Sequence, residues 1–144
     1  MIPVRISDHV SLVSQIDPKT ASATTLSGDA FDMSKYGSAM GIVQVGAFGA
    51  SATVDVKLQC AASATATYAD FTVAKAITRL TAVDANKQAL LNVRSDQLNA
   101  DKRWVKPILT VGGPATYVSL TVLAAVPRHG PGQDDDLASV DEVV

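Results

Sequence analysis

The chain has one cysteine, two histidines and seven aromatic residues among 144, and only 18% of it is charged. Each scarcity removes a class of protein. Cys60 is alone, so no disulfide can close within the chain, and with His9 and His129 it cannot assemble a Cys/His zinc site. No metal or cofactor is expected. A net charge of −2 argues against nucleic acid as a partner, because a general binder shows a basic excess. No apolar run approaches the ~20 residues that cross a bilayer, so no membrane partner is expected. Met1–Val13 lacks the continuous apolar core and cleavage site of a signal peptide. Charge below the usual ~25% predicts a surface partly covered by another molecule.

What the chain does have is small apolar residues: 22 Ala and 18 Val against 11 Leu and 6 Ile. Such side chains favour thin, closely spaced layers. The length fits a single domain of the common ~100–150 residues. Charge then divides it. From Pro127 to Val144 one base, Arg128, stands against five acids, a net −4, while Met1 to Val126 carries +2. Pro127, Gly130, Pro131 and Gly132 break both helix and strand. Residues 127–144 therefore read as a flexible acidic C-terminal tail, and residues 1–126 as one domain with an N-terminal arm at 1–9.

The periodic signals have period two. Val54, Val56, Leu58 and Cys60 share one face of Ser51–Cys60, opposite Asp55, Lys57 and Gln59. In Thr116–Val126, Val118, Leu120, Val122, Ala124 and Val126 alternate with Tyr117, Ser119 and Thr121. Arg103–Val111 sets Val105, Leu109 and Val111 against Trp104, Lys106, Ile108 and Thr110, with Pro107 predicting an edge strand or a bulge. Ser38–Val45 is apolar on both faces, which predicts a central strand covered on both sides. Gly46–Ala50 and Gly112-Gly113-Pro114 read as hairpin turns. Val10–Ile16, Ala23–Ser27, Phe71–Val73, Ile77–Ala82 and Gln88–Val93 are weaker strands, the last two joined by a turn at Val83–Lys87. Helix is confined to one turn at Asp32–Gly37, capped by Asp32, and a short one in Ser95–Lys102. About eight short strands in this length predict an all-β antiparallel sandwich. A jelly roll is preferred to an immunoglobulin-like order, because the Cys…Trp…Cys arrangement is absent.

Chemistry-bearing groups are few. Ser7, Asp8 and His9 are adjacent in an extended segment, so they point to alternating faces and form no relay among themselves. Cys60 belongs to an apolar face and reads as core. Asp29 and Asp32 suit turn and helix-cap duty, and Asp134-Asp135-Asp136 a solvated run. No catalytic residue is nominated, and an enzyme is not expected. Lys102, Arg103, Trp104 and Lys106 form the one basic–aromatic cluster, and Trp and Arg are enriched in protein-binding hot spots.

The order Ile2-Pro3, Asp32-Met33-Ser34-Lys35-Tyr36, Ser38–Gly46, Thr53–Gln59, Arg103–Val111 and Val122–Val126 resembles a family of small virion proteins of tailed bacteriophages. That family includes jelly-roll capsid cement, or decoration, proteins. The resemblance covers roughly residues 1–126 and leaves the acidic tail aside. It implies a non-catalytic protein on the capsid exterior, assembled in the bacterial host cytoplasm, with the major capsid protein and itself, as homodimer or homotrimer, for partners. The nominated contacts are Ile2, Pro3, Val4 and Arg5 of the arm, which with Val10–Ile16 would add to a neighbour's sheet edge, and Lys102, Arg103, Trp104 and Lys106. A head–neck or tail component and a β-sandwich carbohydrate- or receptor-binding module are the alternatives.

Overall fold

The structure is a computed structural model that describes residues 5–128. Its strands are β1 (Val10–Ala21), β2 (Thr24–Ser27), β3 (Phe31–Asp32), β4 (Tyr36–Val45), β5 (Thr53–Ala61), β6 (Ala69–Asp70), β7 (Gln88–Arg94), β8 (Trp104–Gly112) and β9 (Thr116–Pro127). One sheet runs β1-β9-β4-β7 and the other β2-β8-β5-β6, with β3 continuing beside β8. Every strand pairing is antiparallel.

These orders are those of one long antiparallel ribbon rolled up. Its rungs are β1 with β9, β2 with β8, β4 with β7 and β5 with β6. Rolling the ribbon sets β4 beside β9 and β5 beside β8, which closes both sheets. That is the jelly-roll arrangement of two Greek keys, and it bears out the all-β sandwich expected from the period-two pattern. Leaving aside β3, only the β5–β6 connection stays within one sheet. The turns at Gly46–Ala50 and Gly112-Gly113-Pro114 are therefore not hairpins. Each carries the chain across the sandwich, from β4 to β5 and from β8 to β9.

The core lies between the sheets and is filled by the alternating residues. Val54, Val56, Leu58 and Cys60 of β5 meet Val105, Leu109 and Val111 of β8 on one side. Val43, Val118, Leu120, Val122 and Ala124 come from the other sheet. Val126 departs from this pattern: its φ is 58° and its side chain is exposed. Pro107, expected at an edge or a bulge, sits in unbroken register in a central strand. Its carbonyl accepts from Gly28 N at 3.1 Å, so its nitrogen faces the gap where β2 has ended and β3 has not begun. The missing N–H costs the ladder nothing there.

The weaker expectations fare unevenly. β1 is longer than Val10–Ile16, running to Ala21 with register breaks at Leu12/Ser14 and Ile16/Lys19. It pairs with β9 of its own chain along its length and is an edge strand of its sheet. Phe71–Val73 and Ile77–Ala82 are not strands. The latter makes one isolated bridge, Val54 with Leu80, and Ala76 just before it makes another with Lys57. Asp32–Gly37 holds no helix: Asp32 ends β3, and its Oδ1 accepts from Ser34 N at 2.9 Å, a turn-forming bond. Ser95–Gln97 is a single 3-10 turn, started by Arg94 N donating to Gln97 Oε1 at 3.1 Å.

Gly28 is among the positions that require glycine for space. A Cβ on Gly28 would stand 2.5 Å from Ser14 Oγ and 2.8 Å from Pro107 Cγ, where β2 closes on β1. Gly28→Ala is expected to destabilise the fold by about 2 kcal/mol, within the range for overpacking a filled interior. Chemical denaturation checks it. Ser11 and Ser14 hydroxyls are buried on β1 with no hydrogen-bond partner among the described residues. An unpaired buried hydroxyl is itself costly, so Ser11→Ala is expected to leave the denaturation midpoint unchanged or raise it.

Candidate functional site

β8 presents Trp104 and Lys106 on the outer face of its sheet, because Val105 and Pro107, which alternate with them, are buried. Trp104 pairs across strands with Asp32 and Ala61, and Lys106 with Gln59. The Lys106 ammonium lies 5.5 Å from the centre of the Tyr68 ring, a cation–π contact that holds it to the surface. Arg103 is exposed, with Nε 3.4 Å from Oδ2 of Asp32, whose side chain is only 7% exposed. A buried carboxylate beside an exposed guanidinium fixes the Arg without cancelling its reach. Trp104 also borders a cleft of about 170 Å³ with Val13, Phe31, Asp32 and Tyr36. Three of the four nominated residues of this cluster thus have definite anchors. The fourth, Lys102, donates its backbone N–H to Asn99 O at 3.0 Å.

The arm is placed only in part. Ile2, Pro3 and Val4 lie outside the described residues. Arg5 is exposed and opens a 3-10 turn, Ile6–Asp8, that leads into β1. Arg5 therefore enters the first sheet, whereas residues 102–106 lead into the second. His9 is exposed just before β1, and Cys60 is fully buried. Among the described residues no three His, Cys, Asp or Glu side chains converge as a metal site would require.

At the other terminus β9 reaches Pro127, and Arg128 is held too: its N–H donates to Lys35 O at 2.9 Å and Nη2 to Ser95 Oγ at 2.8 Å. Ser95 lines the same hollow as Lys102 and Arg103. Arg128 therefore reaches the Ser95 side of that hollow, and the acidic run from Asp134 lies outside the described residues.

Surface charge is concentrated on and around the second sheet. Asp70 is held below the usual carboxylate range by hydrogen bonds from Lys57 and Gln59, with Lys57 Nζ at 2.8 Å. Arg79 donates to Asp55 at 2.9 and 3.1 Å, which raises the guanidinium. At the end of β7, on the rim of the first sheet, Asp96 is lowered by Arg94, 2.7 Å away. A carboxylate whose folded pKa is depressed contributes stability above its unfolded value and loses it as pH falls through the folded one. Stability is therefore expected to decline below the carboxylate range. These pairs are exposed, so the loss is small and shrinks further in salt. Melting curves in low and high salt check both points.

The first sheet is different, and sequence reading missed it. β4 is central as expected, between β9 and β7, but among the described residues only one of its faces is covered. Ala39, Val43 and Val45 are buried, while Met40 and Ile42 point outward and are half-buried. Register aligns Leu12, Leu123, Met40 and Asn92 in one row and Gln15, Thr121, Ile42 and Leu90 in the next. A third row runs Val10, Ala125, Ser38 and Arg94. Arg94 is the sole charge in these rows. A groove of about 350 Å³ adjoins them, beside Pro18, Gly46 and Tyr117, where β1 bulges away from β9. The signal was present in the apolar character of both faces of Ser38–Val45, but periodicity does not say what covers a face.

No family model matches the chain, and no curated protein matches it. Among solved structures it is similar to one of tobacco necrosis virus, at a TM-score of 0.35 and 12% identity, over 88% of this chain and 95% of that one. At that level the likeness adds nothing to the topology, and the jelly-roll assignment rests on strand order and pairing.

Proposed function

We propose that this chain is a structural virion protein that binds the exterior of a tailed-phage capsid and stabilises the shell by bridging capsid subunits. The reading rests on the ordered resemblance of residues 1–126 to capsid cement proteins. The structural observation that carries it is the clustering of Trp104 with Arg103 and Lys106 on the outside of a jelly roll. An aromatic between anchored cations is suited to a protein surface, since it offers apolar area with little side-chain entropy to lose. The +2 charge of residues 1–126 offers no broad positive field for a nucleic-acid backbone.

The mechanism is adhesion. A subunit that touches the shell weakly still holds it when an oligomer makes two such contacts at once, because tethering raises avidity by ~10²–10⁴. Contacts that span capsomer boundaries then oppose their separation. Purified protein added to expanded shells of the encoding phage, prepared without it, is expected to raise their melting temperature in a concentration-dependent way. Shells that take up no protein would remove the proposal.

A further inference from the structure

The end of β9 is a built turn. Val126 is β-branched yet has a φ of 58°, a conformation that such residues seldom adopt and that persists only where the surroundings impose it. Gly37 makes room for it: a Cβ there would stand 3.1 Å from Cβ of Val126. Beyond the turn Arg128 is fixed twice, by its N–H on Lys35 O at 2.9 Å and by Nη2 on Ser95 Oγ at 2.8 Å. Lys35 borders the cleft of Trp104, and Ser95 the hollow of Lys102 and Arg103. Arg128 thus touches one residue from each of the two depressions that the basic–aromatic cluster borders.

Charge at this end of the sandwich favours an acidic occupant. Lys35, Arg94, Lys102, Arg103 and Arg128 stand there against Asp32, Asp96 and Asp101. Two of those acids are engaged, Asp32 by Arg103 at 3.4 Å and Asp96 by Arg94 at 2.7 Å. Arg5 and Asp8, before β1, offset each other. The sequence supplies the complement, because residues 129–144 hold five acids and no base. The first of them, Asp134, follows Arg128 by six residues, a reach of up to about 20 Å. We infer that the acidic run from Asp134 to Glu142 folds back onto this basic rim and covers Trp104 until a partner displaces it. One exposed ion pair is weak. A short tether, however, sets an effective concentration in the ~millimolar range, so several weak pairs made together are populated. The fold-back itself does not depend on the capsid reading. Its consequence, that a shell must compete with these carboxylates for the Trp104 cluster, rests on that reading.

Trp104 is the sole tryptophan, so acrylamide quenching of the full chain's fluorescence reads its cover directly. The triple variant Asp134→Asn, Asp135→Asn, Asp136→Asn keeps the length of the segment and removes most of its charge. At low ionic strength it is expected to raise the quenching constant about twofold or more over wild type, since the tethered contact is lost. Sodium chloride at about 0.5 M is expected to bring the wild type to the same value and to leave the triple variant unchanged. Equal quenching of the two at low salt overturns the inference. A difference that appears only as the protein is concentrated reports contact between chains and overturns it too. On shells, the triple variant is expected to reach half-occupancy at about tenfold lower concentration than wild type. Equal occupancy by a variant with an uncovered Trp104 would overturn the competition. Shells that bind neither form would contradict the capsid reading alone, and the quenching result would still decide the fold-back.

Discussion

Leu109→Ala is expected to cost about 3–4 kcal/mol of folding stability, from lost transfer energy and an uncollapsed cavity. Leu109 is fully buried in β8, which is flanked by β2 and β5 and so held from both sides. Its cross-strand neighbours are Leu26 and Val56, and both are tied into their own ladders. The surroundings therefore relax little. Ile108, one residue away, points to the outer face and is half-exposed; Ile108→Ala is expected to cost less than about 1 kcal/mol. Urea denaturation of the two variants reads the difference directly. Equal losses would contradict a sandwich in which β8 buries one face only.

The second large effect is on binding. Trp104→Ala is expected to weaken shell binding by at least about 30-fold, the scale of a hot-spot truncation of 2 kcal/mol or more. In the proposed bridging oligomer every contact would lose this residue at once, and the avidity that joins the contacts would go with it. Trp104 borders the cleft of Val13, Phe31 and Tyr36 as well, so the variant's melting temperature must be measured alongside. Lys106→Ala separates the two roles. It keeps the indole and removes only the cation over Tyr68, and it is expected to change binding modestly and stability very little. Shell occupancy against concentration for the wild type and both variants decides the matter. Undiminished occupancy by a folded Trp104→Ala would take the cluster out of the interface.

How far the sequence reveals this fold follows from what its patterns report. Alternation in Thr53–Ala61 and Trp104–Gly112 reflects burial on one face of a pleated strand, and both strands emerge with the expected residues inside. Turn residues report where the chain changes direction but not which sheet it enters. The glycines at 46, 49, 112 and 113 therefore read equally as hairpins and as crossings of the sandwich, and the structure makes them crossings. Pro107 misleads for a related reason. The rule confining proline to edges concerns a lost donor, and here the donor would have faced the break between β2 and β3. The basic–aromatic cluster is legible because its members are close in sequence. The open sheet face is not, because Leu12, Met40, Leu90 and Leu123 meet only through register among four strands distant along the chain.

The most direct test of the central claim is a cryo-EM reconstruction of expanded shells of the encoding phage after incubation with the purified protein. Adhesion predicts added density on the outer surface at regular symmetry-related positions, with the Trp104 end against the shell and straddling a boundary between capsid subunits. A bare exterior at saturating protein would contradict it, and density confined to the tail or neck would place this chain elsewhere in the virion.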